Sequence, residues 1–311
     1  MVLFVYQIIA ALRLGKRFGC LMLMLGCLLV ESASAAELRV LASIQPLALI
    51  AEEILGDRGQ VDRLLPLSAS AHDYSLRASD ARKLSEASLV LWIGPELETF
   101  LRRPLANRSA DTNLAILELP GLHWPQEQRQ SLASGEEHQH HSHEHDPHVW
   151  LDPRNAVVMA LALAERLGQL QPSATEEFSL RAKAFAERMV KLDAALATRL
   201  GAVSDVGFAV YHEGYGHFVN RYGLRQMGYV TYTPERRPGA RHLHQLRQSL
   251  KGNARCLFVE SGYDLRLAQQ LAGELELKLA VVSPMGGQQT ESYDQLLTTM
   301  AEDFLDCLAQ P

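Results

Sequence analysis

Positive charge is in short supply in this chain of 311 residues: 30 Lys and Arg stand against 36 Asp and Glu, a formal charge of -6. No broad basic field exists to hold a phosphate backbone, which excludes nucleic acid as a partner. Cysteine is scarcer still, with four residues, two of which (Cys20 and Cys27) fall within the first 36 positions. Apolar runs of membrane-spanning length are missing. The unbroken run Phe18 to Val30 has 13 residues, too few to cross a hydrocarbon core of about 30 Å as a helix. Absent as well is any His-Glu-x-x-His, the arrangement that sets two zinc ligands beside a general base in many zinc hydrolases. What remains, 47% hydrophobic and 21% charged, fits neither disorder nor a fibrous repeat.

Residues 1–36 read as a signal peptide. Arg13, Lys16 and Arg17 precede the apolar run, and Ser32-Ala33-Ser34-Ala35-Ala36 supplies small residues for cleavage before a polar start at Glu37. Leu25-Gly26-Cys27 faintly resembles a lipoprotein box, but Leu28, Leu29 and Val30 continue the apolar run where a mature lipoprotein turns polar. Cleavage after Ala36 removes Arg13, Lys16, Arg17 and Glu31 and leaves a net charge of -8. It also leaves Cys256 and Cys307, a pair expected to form a disulfide in an exported chain, tying a strand to the last helix.

Four short runs rich in Val, Leu and Ile (38–44, 61–65, 88–93 and 114–119) alternate with helical patterns such as Pro46 to Leu55, which predicts a parallel sheet covered on both faces. Residues 121–147 break all periodicity and read as a long loop. Asp152-Pro153 then looks like an N-cap with Pro at the first helical position. A second helix over 174–200 carries Phe178, Phe185, Met189, Leu192, Leu196 and Leu200 on one face. Strand and helix alternate again beyond it, with candidate strands at 208–211, 229–232, 256–259 and 279–282. The expected fold class is α/β, with two lobes, each a mainly parallel sheet flanked by helices, spanning 37–172 and 202–311 and joined by one long rigid helix over 173–201.

Histidine is unevenly placed: six of the 12 lie between His138 and His148. His138, His140, His141, His143 and His145, interspersed with Glu136, Glu137, Glu144 and Asp146, form a tract that can hold metal weakly in several arrangements. Its imidazoles bind only when neutral, so capture there is expected to weaken as pH falls through about 6.5. His72, His148 and His212 differ, since each follows a strand or enters a helix. Open parallel sheets bind ligands outside the carboxyl ends of their strands, where residues remote in sequence converge. Three imidazoles suit zinc, with a fourth position left for water.

The segments Ala71-His72-Asp73-Tyr74-Ser75-Leu76-Arg77, Asp146-Pro147-His148-Val149-Trp150-Leu151-Asp152-Pro153 and Tyr211-His212-Glu213-Gly214-Tyr215-Gly216 resemble the motifs of zinc-binding periplasmic proteins of bacterial ABC importers. That family also contains manganese-binding members, and the resemblance covers Glu37 to Pro311. It implies a metal between the lobes held by His72, His148 and His212. The His- and acid-rich insertion is typical of zinc members. The sequence departs at Ser283-Pro284-Met285-Gly286, where many relatives place Asp-Pro-Leu-Gly, and at Ala71, where some zinc members carry Glu. Water is therefore expected at the fourth position, with Glu260 and His217 as accessory candidates and Asp73 and Glu213 as partners for the ring nitrogens.

The resemblance implies capture of Zn2+ as transported substrate in the periplasm and delivery to an ABC permease in the cytoplasmic membrane by a monomer that is not an enzyme. The alternatives are a manganese or other divalent-metal binding protein, a metal-dependent adhesin of the same fold, and a zinc hydrolase.

Overall fold

Apolar runs bounded by turns become the inner strands of two parallel sheets, largely buried on both faces. The computed structural model describes residues 37–125 and 146–309; the leader and the histidine tract at 138–145 lie outside the described residues. The first half contains β1 (Leu38–Ala42), α1 (Gln45–Leu55), β2 (Gly59–Arg63), α2 (Ala78–Glu86), β3 (Leu89–Trp92), the short α3 (Arg102–Leu105) and β4 (Asn113–Ala115). Its four strands are all parallel, in the order β2-β1-β3-β4. The run 114–119, expected as strand, stops at Ala115 and turns into a 3-10 helix over Ile116–Glu118.

Two long helices follow. α4 (Pro153–Leu170) starts where Asp152 accepts the Arg154 backbone N–H at 2.9 Å, with Pro153 in the first turn. α5 (Thr175–Gly201) has 27 residues, a length of about 40 Å at 1.5 Å per residue. The second half contains β5 (Gly207–His212), α6 (Gly216–Tyr222), β6 (Gln226–Thr231), α7 (Ala240–Leu250), β7 (Ala254–Val259), α8 (Arg266–Leu275), β8 (Lys278–Val281) and α9 (Tyr293–Leu308). This sheet is also parallel and repeats the order of the first, β6-β5-β7-β8. A disulfide joins Cys256 on β7 to Cys307 on α9, with Cα atoms 6.3 Å apart.

One apolar core passes from the first sheet through α1, α4 and α5 to the α9 face of the second; a smaller one lies under α7 and α8. Polar clasps reinforce it. Gln45 donates to the Gly287 carbonyl at 3.0 Å, Trp150 Nε1 to the Pro284 carbonyl at 2.9 Å, and the Tyr293 hydroxyl to the Trp150 carbonyl at 2.5 Å. Arg188 on α5 pairs with Glu53 on α1 and Asp294 on α9. Among the described residues no helix is long and apolar enough to cross a membrane.

Candidate metal centre

Both sheets change direction of winding between their first and third strands, which is where open α/β folds bind ligands. In the second sheet β5 ends at His212, and Glu260 follows the end of β7, so the two meet at this point. His148 stands just ahead of the 3-10 turn Val149–Leu151 that leads into α4, and His72 sits in the irregular stretch between β2 and α2.

These three histidines come together. Their ring centroids are 5.3 Å apart for His72 and His148, 5.0 Å for His72 and His212, and 5.0 Å for His148 and His212. One ring nitrogen from each lies within 4.8 Å of the others. Nitrogens bound tetrahedrally to zinc at about 2.05 Å sit roughly 3.3 Å apart, so small ring rotations close the set on an ion. The Nε2 atoms of His72 and His212 are buried with no hydrogen-bond partner. A buried polar atom left unpaired is costly, and a cation at the shared centre satisfies both.

Carboxylates fix two of the rings. Asp146 Oδ1 lies 2.7 Å from His148 Nδ1 and also accepts the His148 backbone N–H at 3.0 Å. Glu260 Oε1 lies 3.0 Å from His212 Nδ1 and accepts the Tyr215 hydroxyl at 3.1 Å. With Nδ1–H held by a carboxylate, the Nε2 lone pair points inward, the arrangement that orients metal-binding imidazoles. The partners expected from adjacency are replaced: Asp73 is exposed and Glu213 accepts from Gln226 at 2.8 Å. Neighbours in sequence alternate direction on an extended segment, whereas Asp146 reaches forward to a ring two residues on, and Glu260 follows the adjacent strand.

His217 lies outside the group. Its Nε2 meets the Asp146 carbonyl at 3.1 Å and its Nδ1 faces Asn155 at 3.4 Å, so it holds the backbone of the His148 segment. Two glycines give the rings room. A Cβ on Gly214 would come within 2.8 Å of His212 Cε1 and 3.0 Å of His148 Nε2, and one on Gly216 within 2.6 Å of Asp146 Oδ2.

Burial, with His148 and His212 adding to it, pushes the His72 imidazole down to about 2. Burial also lowers His148, against the pull of Asp146. For Asp146 burial acts upward, but the neighbouring His148 outweighs it and holds the carboxyl below the usual range. Both shifts favour the neutral imidazole, the form that donates to a metal.

Comparison with known proteins finds relatives along most of the chain. The family described as "ZnuA: Zinc-uptake complex component A periplasmic" matches residues 40–307. The chain is 31% identical over 306 residues to the high-affinity zinc uptake system protein ZnuA of Yersinia pestis, covering 92% of this chain and 96% of that one. A crystal structure of ZnuA is similar with a TM-score of 0.73 at 23% identity, covering 87% of this chain and 98% of the other. The laminin-binding protein Lmb of Streptococcus agalactiae, described as bifunctional with adhesin and metal transporting activity, is similar with a TM-score of 0.73 at 23% identity, covering 87% and 99%. At these identities the two structures speak for the fold alone.

Proposed function

We propose, on the premise that the chain belongs to the ZnuA family of periplasmic zinc-uptake components, that it captures a zinc ion in the periplasm and hands it to an ABC permease. His72, His148 and His212 hold the ion and water completes the shell. The observation that carries this reading is the convergence of three imidazoles, two with buried, unpaired Nε2 atoms, on one point. Among the described residues no carboxylate or thiolate joins that group. Three nitrogens without added oxygen donors favour zinc over manganese or magnesium, which prefer oxygen-rich shells. Residues 1–36, read as a leader, and the periplasmic description of the family support an event outside the cytoplasmic membrane.

A hydrolase would need a base poised at the metal-bound water. Asp146 and Glu260, the nearby carboxylates, are engaged with the Nδ1 atoms of His148 and His212. In this reading the protein binds and releases its ion with no bond of a substrate made or broken. Native mass spectrometry of the exported protein before and after mild chelation tests the reading by giving metal identity and count. Tight zinc, displaced only slowly by manganese, is the expected result; tight manganese with weak zinc overturns it.

A further inference from the structure

The three histidines do not stand on equal footing. His148 and His212 belong to one block, each with a carboxylate behind its ring at 2.7 and 3.0 Å, and Glu260 is itself fixed by Tyr215. The His148 segment precedes α4 in the chain, yet it is fastened to the second sheet's side of the molecule. His217 on α6 holds the Asp146 carbonyl, Trp150 bonds the Pro284 carbonyl, and Tyr293 on α9 bonds the Trp150 carbonyl.

His72 stands apart from that block. Among the described residues no side chain hydrogen-bonds its ring, and it is less buried than the other two. Its backbone N–H donates to Ser70 Oγ at 3.2 Å, and the Ser70 side chain neighbours the Tyr263 hydroxyl, which comes from the segment after β7. The His72 loop thus faces the opposite side of the site through one pair of neighbouring hydroxyls.

We infer that the centre works as two plus one, with His72 the ligand that leaves first when the ion is handed over, and with Asp146, Glu260 and His217 as positioning residues that keep the His148–His212 pair in place during transfer. The inference rests on the zinc-capture reading and deepens it. A carboxylate on Nδ1–H fixes the tautomer and raises the basicity of Nε2, and its loss typically weakens metal binding about 10- to 100-fold. The ring without such support is the weaker donor and the freer to rotate. It is also the one an incoming acceptor reaches, so an acceptor ligand can take its place while two nitrogens still hold the ion.

The test uses the exported, disulfide-bonded chain with zinc for affinity and cobalt(II) for its ligand-field spectrum. His72→Ala is expected to keep one cobalt ion with altered bands and to lower zinc affinity, while His148→Ala and His212→Ala fall at least tenfold further. Glu260→Ala is expected to weaken binding about 10- to 100-fold, and Glu260→Gln, which still accepts both hydrogen bonds, to restore most of it. Tyr263→Phe should speed zinc transfer to a chelator several-fold. His72→Ala binding no better than the other two, or Glu260→Ala keeping full affinity, overturns the two-plus-one order. Melting curves of the metal-free variants identify any that fail to fold, and Glu260→Gln against wild type carries the test in that case. Wild type taking up neither metal would sink the capture reading instead, so the two failures are distinguishable.

Discussion

Gly214→Ala puts the geometry of the centre under direct strain. The added methyl would lie 2.8 Å from His212 Cε1, 3.0 Å from His148 Nε2 and 3.1 Å from His148 Cε1, against an ordinary carbon contact of about 3.5–4.0 Å. Neither ring can retreat without leaving its carboxylate, because Asp146 and Glu260 hold both Nδ1 atoms. In the metal-free protein one ring can turn aside by giving up its carboxylate contact; in the loaded protein both must also face the ion, so the larger part of the strain falls on affinity. Overpacking of this kind costs about 1–3 kcal/mol, which is roughly a 5- to 150-fold rise in Kd. Zinc affinity measured by competition with a chromogenic chelator should show this loss while the metal-free Tm changes little. Gly201→Ala serves as the control, since no neighbour lies within 4 Å of its Cβ position and it sits in the last turn of α5. Unchanged affinity in Gly214→Ala would refute the claim that the two rings are locked in place at a common centre.

Replacing Cys256 and Cys307 together by Ala removes a cross-link between residues 51 apart, and urea unfolding should report a loss of about 2–4 kcal/mol; an equal stability would show that the link constrains little. Deleting residues 136–145, which lie outside the described residues, should lower the number of weakly bound ions in calorimetric titration yet keep the tight one, because none of the three converging histidines is removed; loss of the tight event contradicts this. Burial raises Glu98 from 4.5 to about 7 despite hydrogen bonds from Ser43, Gly94 and Ile93. Its folded pKa exceeds the unfolded one, so it contributes stability that is fully present below about pH 4.5 and lost as pH rises through about 7, on the order of 3 kcal/mol. Glu98→Gln should remove that slope between pH 5 and pH 8, and parallel wild-type and variant curves in urea titrations would count against it.

How much of this was legible beforehand depended on whether the signal was local. The run Leu89-Val90-Leu91-Trp92 has no polar residue to place at a surface, so a doubly covered strand was its natural reading, and all four are buried. Asp152-Pro153 is a complete helix start within two residues. The three histidine motifs stood out because each sits where the α/β pattern turns. What escaped was set by distance in the fold. Gln226 to Thr231 mixes polar, small and aromatic residues and only its last two are buried, so its first half carried no apolar signal although it pairs with β5. α6 has seven residues and begins four positions after His212, too short for a periodicity to register. Glu260 finds His212 from 48 residues away and His217 finds the Asp146 carbonyl from 71 residues away. Adjacency, which pointed to Asp73 and Glu213, is a poor guide to such contacts because it ignores side-chain direction.

A long helix and a shared core leave the ion a particular way out. Separating the two sheets by several ångström would break the Gln45–Gly287 hydrogen bond and part Arg188 from Glu53 or Asp294. The neutral hydrogen bond alone is about 1 kcal/mol. Prising Tyr293 from the Phe185 ring 5.9 Å away and opening the core around them adds the cost of wetting apolar surface, about 25 cal/mol per Å2. Moving the His72 loop alone shifts Ala71, buried at the edge of the core, together with the neighbouring Ser70 and Tyr263 side chains, and leaves the packing between α1, α4, α5 and α9 closed. The cheaper motion is local, so loading should shift the His72 loop far more than the separation of the sheets. Crystals grown with and without zinc, superposed on the second sheet, measure both displacements at once. A change of several ångström between the sheets, with the His72 loop riding along unchanged relative to β2, would contradict this order of costs.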